Sequence, residues 1–111
     1  MFQQKSKKGY LSPIKGIRMK TLVHGEKTLM TEFRLDRGSL LPTHAHPHEQ
    51  TGYLVSGKMR LRVGTAEQVI EPGDSWMIPG GMEHGADILE DAVAVEVFAP
   101  VREDYLPKKD D

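Results

Sequence analysis

The 111-residue sequence has no cysteine. That excludes a disulfide scaffold, a thiolate zinc site and a cysteine nucleophile, and it fits a reducing compartment. Long apolar runs are missing too. Nothing approaches the roughly 18–20 residues that span a bilayer, so no membrane partner is expected. The N-terminus lacks the apolar stretch of a secretory signal, which makes the expected location cytoplasmic. Acid is absent from residues 1–20, where Lys5, Lys7, Lys8, Lys15, Arg18 and Lys20 read as a solvated arm. Over the whole chain 15 basic residues face 16 acidic ones, which gives no charge excess for nucleic acid. Uninterrupted helix-length segments are also scarce. Eleven glycines and seven prolines punctuate the chain, and from Gly38 to Gly85 there is hardly room for a helix.

Short alternating runs lie between these breaks. Leu29, Thr31, Phe33 and Leu35 fall on one face; Met59, Leu61 and Val63 alternate with Lys58, Arg60 and Arg62. Period-two alternation marks strands with one buried face. Eight strands are expected, at about 14–23, 27–36, 40–46, 50–56, 58–63, 66–71, 74–78 and 83–99, the last broken near Leu89-Glu90-Asp91. Many short strands at regular spacing predict one all-β domain, a sandwich or a barrel. The expected organisation is an arm over residues 1–12, a β-domain over 13–106 and a tail over 107–111.

Three of the five histidines sit in His44-Ala-His46-Pro-His48-Glu49-Gln50. Residues two apart on a strand point to the same face, so His44 and His46 can close on one cation. Gln50 has the same parity and an amide oxygen able to ligate. Glu49 has the opposite parity unless the strand bulges at Pro47, and it stands as the alternative. His84 follows the Pro79-Gly80-Gly81 turn and can close a site from across a barrel. His48 is read as a rim residue and His24 as a surface one.

The spacing Gly38-x5-His44-x-His46-x3-Gln50-x6-Gly57, followed by Gly73-x5-Pro79-x-Gly81-x2-His84, resembles the two motifs of the cupin superfamily. The resemblance implies a small jelly-roll β-barrel holding one divalent metal on His44, His46, Gln50 and His84. Gln50 stands where the family usually has Glu, and Ile88 where it usually has Asn. Three imidazoles and an amide leave the full +2 charge on the ion, which favours an anionic ligand and a more electrophilic bound carbonyl. Such a neutral donor set suits Zn, Ni, Fe or Cu, with Mn possible through the amide oxygen.

Near the C-terminus, Glu96 is the one charge in the apolar run 92–99. A carboxylate there must be paired, near a metal or on a solvated face. Glu96 shares a face with Phe98, opposite Val95 and Val97; with the valines packed between sheets, that face looks into a cavity. Arg102 follows Pro100 near the expected barrel mouth, where a guanidinium can clamp a carboxylate. The ending Glu96-x-Phe98-x-Pro100-x-Arg102-Glu-Asp-Tyr105-Leu resembles the pectin-degradation protein family of small cupins, KdgF. That resemblance implies conversion of 4,5-unsaturated uronates to open-chain keto-deoxy uronates, with Glu96, Phe98 and Arg102 lining the site. The family has Asp where this chain has Glu96. Two other functions fit the motifs: an Fe-dependent dioxygenase, and a non-catalytic cupin that binds a metal or small molecule. The resemblance also implies a homodimer formed by exchange of N-terminal strands, for which Met19, Leu22, Leu29 and Met30 are apolar enough.

Overall fold

A computed structural model describes residues 1–106; the expected tail at 107–111 lies outside the described residues. Among these the chain forms eight strands: β1 (Leu11–Ile14), β2 (Ile17–His24), β3 (Leu29–Leu35), β4 (Leu40–His44), β5 (Glu49–Val63), β6 (Ala66–Ile70), β7 (Ser75–Ile78) and β8 (His84–Ala99). A short 3-10 turn, Glu103–Tyr105, follows. No helix of the described residues is long and apolar enough to cross a membrane.

The two long strands form the spine. β5 and β8 pair antiparallel from Glu49↔Ala99 to Val63↔His84. β3 and β4 pair with different halves of β8, and β7 and β6 with different halves of β5. β2 and β1 extend the β3 edge. The result is two layers that share their central strands, which is the jelly-roll arrangement.

The expected division of 50–63 into two strands does not occur, nor does the expected break in the last strand. Gly57 is the reason. Its φ is +87°, and a Cβ there would lie 2.1 Å from the Asp91 carbonyl oxygen. The pairing shifts between Ser56↔Val93 and Lys58↔Glu90, so a bulge bends both strands without ending either. The strand expected over 14–23 is β2, Ile17–His24, and it starts later because the chain turns between Ile14 and Ile17. β1, Leu11–Ile14, is not among the expected strands; it begins within the expected arm and folds back on β2.

The core follows the alternation. Leu29, Thr31, Phe33 and Leu35 are all buried, as are Met59 and Leu61. Fully burying a side chain such as Leu54 or Phe98 is worth about 1.5–3 kcal/mol. Met19 and Leu29 belong to this interior, so of the four residues linked to strand exchange only Leu22 and Met30 retain appreciable exposure. On β8 it is Ala92, Ala94 and Phe98 that fill the interior, while Val93, Val95 and Val97 are half-buried on the other face. The small alanines leave the space in which the polar cluster sits. Of the six N-terminal basic residues, five are exposed; Lys20 is buried, its Nζ donating to the Ser6 carbonyl at 3.0 Å.

Candidate metal centre

His44 ends β4 directly opposite His84, which begins β8. His46 lies in the loop after β4, and Gln50 is the second residue of β5. Backbone contact with the turn at 79–82 holds that loop: the Gly81 N–H donates to the His46 carbonyl at 2.8 Å. A Cβ on Gly80 would lie 2.3 Å from the Pro47 carbonyl oxygen, so only glycine lets the two segments approach.

The three rings cluster, with centroids 4.2 Å apart for His44–His84, 4.9 Å for His46–His84 and 5.8 Å for His44–His46. One ring nitrogen from each lies within 4.8 Å of the others, a grouping that can hold a metal ion. Each Nδ1 faces a backbone carbonyl: His44 that of Pro42 at 2.9 Å, His46 that of His48 at 3.0 Å, His84 that of Met82 at 2.9 Å. A carbonyl accepts only from N–H, so these contacts place the proton on Nδ1 and leave a lone pair on Nε2, the arrangement found behind metal-binding imidazoles. His84 Nε2 is buried with no protein partner among the described residues. Desolvation lowers the pKa of His46 and of His84, and the Arg102 charge adds to it at His46. Both rings are therefore held neutral, as ligation requires.

Gln50, 5% exposed, joins this cluster to an acid. Its Oε1 stands 2.9 Å from His46 Nε2, and its Nε2 donates to Glu96 Oε1 at 2.5 Å. The carboxylate accepts only, which orients the amide and turns its oxygen toward the imidazole. With the His46 proton on Nδ1, two lone-pair atoms then face each other. A divalent ion held by both atoms would satisfy the two lone pairs. The donor set and the orphaned His84 nitrogen both fit a divalent ion.

Glu96 also accepts the Trp76 indole N–H at 3.1 Å. Burial raises the Glu96 pKa, while the bonds from Gln50 and Trp76 and the Arg102 charge oppose that shift. Arg102 lies at the other side. Its guanidinium stacks 4.0 Å from the Tyr105 ring centroid and 5.2 Å from that of Phe98. Its Nε donates to both oxygens of Asp104 at 3.1 and 3.2 Å. Burial raises the Tyr105 pKa, so that phenol stays protonated beside the guanidinium. A cavity of about 60 Å³ is lined by His44, Gln50, His84, Glu96, Phe98 and Arg102, among others. At roughly 10–15 Å³ of space for the centre of each water, it has room for a few water-sized groups.

The fold thus brings together the seven residues expected to form the site: His44, His46, Gln50, His84, Glu96, Phe98 and Arg102. Glu49 is exposed, as is His24 at the end of β2. His48 is half-buried, 5.6 Å from the His46 ring, with its Nδ1 unpartnered. Sequence reasoning missed Trp76 and took Tyr105 only as part of the C-terminal motif, with no role in the site. Trp76 shares a face with buried Ile78 on β7, between exposed Ser75 and Met77, a usable signal. Tyr105 sits in the 3-10 turn, where no periodicity points inward.

The family described as Cupin domain matches residues 31–99. No curated protein sequence matches the chain. The structure is similar to that of KdgF from Halomonas sp., at 29% identity and TM-score 0.89, covering 96% of this chain and 100% of that one. It is also similar to an RmlC-like cupin from Shewanella frigidimarina, at 26% identity and TM-score 0.89, covering 95% of each. A predicted oxalate decarboxylase from Thermotoga maritima shares the fold at 18% identity and TM-score 0.75, covering 90% of this chain and 99% of that one.

Proposed function

This chain belongs to the cupin domain family, and from that premise we propose that it is a divalent-metal enzyme that isomerises a small anionic sugar acid, a 4,5-unsaturated uronate, to its open-chain keto form. One observation carries the reading: a single amide, Gln50, touches both the histidine cluster and the acid Glu96. A Lewis-acid position and a proton-moving group are thereby set side by side.

His44, His46, His84 and Gln50 would hold the ion, which when bound supplies Lewis acidity toward a substrate oxygen. The chain's own residues do the rest. The isomerisation is redox-neutral. A proton leaves the anomeric hydroxyl, the ring C–O bond breaks, and a proton arrives at the alkene carbon. One group that accepts a proton and returns it is sufficient, and Glu96 is the acid within the cavity. Desolvation raises its pKa above the ordinary carboxylate value, the direction that favours proton exchange. Arg102, with Nε tied to Asp104, keeps its terminal nitrogens for a substrate carboxylate. The cavity of about 60 Å³ takes the reacting oxygens, and the remainder of the sugar acid occupies the mouth.

Metal per chain, by elemental analysis of wild type and His46→Ala, tests the first half. One equivalent of Zn, Ni, Mn or Fe is expected in wild type and none in the variant. Anaerobic turnover of unsaturated uronate tests the second. Oxygen uptake would point to a dioxygenase, and binding of a substrate analogue without turnover to a non-catalytic cupin.

A further inference from the structure

We propose that Trp76 is a positioning residue for Glu96. Its indole N–H and the Gln50 amide together hold Oε1, so that Oε2 is the oxygen presented to the cavity. The inference rests on the reading of Glu96 as the proton-moving group.

The arrangement crosses three strands. Trp76 stands on β7, Gly52 opposite it on β5, and Glu96 opposite Gly52 on β8. The indole lies over the bare backbone of Gly52. A Cβ there would be 2.1 Å from indole Cε2 and 2.3 Å from Nε1. Real Cβ contacts are never so close, so any side chain at 52 displaces the ring. Space, and not backbone conformation, is what requires glycine here. Across this gap Trp76 Nε1 reaches Glu96 Oε1 at 3.1 Å, and Gln50 Nε2 reaches the same oxygen at 2.5 Å.

Both donors on one oxygen matter because a free glutamate carboxyl turns easily: its last torsion is broad and roughly two-fold. Two donors from different strands remove that freedom. An indole N–H only donates, so it cannot compete for a proton during the reaction. Oε2 has no protein partner among the described residues, and Glu96 lines the cavity. The oxygen left over is therefore the one available to substrate.

Tryptophan occurs once in the chain, so intrinsic fluorescence reports this indole alone. The experiment compares metal-loaded wild type, Trp76→Phe, Gly52→Ala and Glu96→Gln. Emission of Trp76 should shift in Glu96→Gln and in Gly52→Ala. An emission spectrum unchanged in both overturns the contact. With unsaturated uronate, Trp76→Phe should keep one metal per chain and a KM within about twofold, while kcat falls about 10–100-fold, the scale of a displacement near 1 Å. Trp76→Phe serves where Gly52→Ala fails to fold. A kcat within about twofold of wild type overturns the positioning role. If wild type itself does not turn over while Glu96→Gln still shifts the emission, the enzyme reading fails and the hold on Oε1 stands.

Discussion

Gln50 donates its side-chain N–H to Glu96 at 2.5 Å, so an amide meets this carboxylate at the position where the usual cupin motif has Glu. The identities of the two residues are therefore linked. Glu at position 50 beside Glu96 would press like charges together in a desolvated site, and one of them would have to take a proton.

Gln50→Glu should accordingly destabilise the metal-free protein by about 1–3 kcal/mol. The double variant Gln50→Glu/Glu96→Gln rebuilds the acid–amide pair in reverse and should recover most of that loss. Turnover should not recover, because the acid then sits against the imidazoles. Thermal unfolding of the four proteins in chelator, treated as a double-mutant cycle, measures the coupling. Additive effects would mean that the two side chains do not sense each other.

Much of this site was legible from motif spacing together with the family resemblance it carries. The motif marked His44 and His46, yet the strand parity expected of them does not hold. β4 ends at His44, and His46 is brought to the cluster by its loop, held by the Gly81 N–H, while His84 begins β8 opposite His44. Glu96 stood out because an ion in an apolar strand needs a partner. The partner itself was not legible. Gln50 and Glu96 lie 46 residues apart, and only the β5–β8 register joins them. The same limit hid Trp76, whose role depends on an empty position on a neighbouring strand. Nor did the valines of β8 betray their side. Val/Ala alternation names two faces without saying which is inside; the interior, which holds Phe98 and the cavity, takes the alanines. At Gly57 the turn signal was real, but two long strands absorbed it as a bulge.

Gly57 and Gly38 separate two costs that sequence cannot distinguish. Both have positive φ, +87° and +85°, yet a Cβ at 57 meets backbone at 2.1 Å and one at 38 meets nothing within 4 Å. Gly38→Ala should cost only the left-handed backbone strain, about 1–2 kcal/mol. Gly57→Ala adds a clash with backbone that cannot rotate away, and should cost clearly more, or prevent folding altogether. Urea unfolding of both variants gives the comparison. Equal losses would show that the bulge relaxes.

Stability of the metal-free protein should depend on pH in two opposed ways. His46 and His84 have folded pKa values below the ordinary 6.5. Below 6.5 the unfolded chain takes up protons that the folded one refuses, so this contribution is lost as pH falls. Glu96 has a folded pKa above the ordinary 4.5. Above 4.5 the unfolded chain releases a proton that the folded one keeps, so stability declines as pH rises through that window. Glu96→Gln should remove the second slope only, leaving a variant more stable than wild type at pH 8 and still acid-sensitive. Unfolding free energies at pH 5, 6, 7 and 8 in chelator test it. A variant whose profile parallels wild type would mean that Glu96 is not the group that titrates.

Arg102 makes the sharpest distinction between binding and chemistry. Its guanidinium is held on three sides, by Tyr105 at 4.0 Å, Phe98 at 5.2 Å and the Asp104 carboxylate at 3.1 Å from Nε. That leaves the two terminal nitrogens in one plane, matched to a carboxylate. Lysine keeps the charge but neither the plane nor the stacking. Arg102→Lys should therefore raise KM for an anionic substrate about 10–100-fold, the equivalent of one charge-assisted hydrogen-bonded pair, with metal content unchanged. Tyr105→Phe keeps the ring beneath the guanidinium and should change KM little, whereas Tyr105→Leu removes it and should raise KM in the same direction as the lysine. If Arg102→Lys instead lowers kcat at constant KM, the guanidinium acts on the transition state and not on the bound carboxylate. The assignment of a clamp would then fail even though the residue matters.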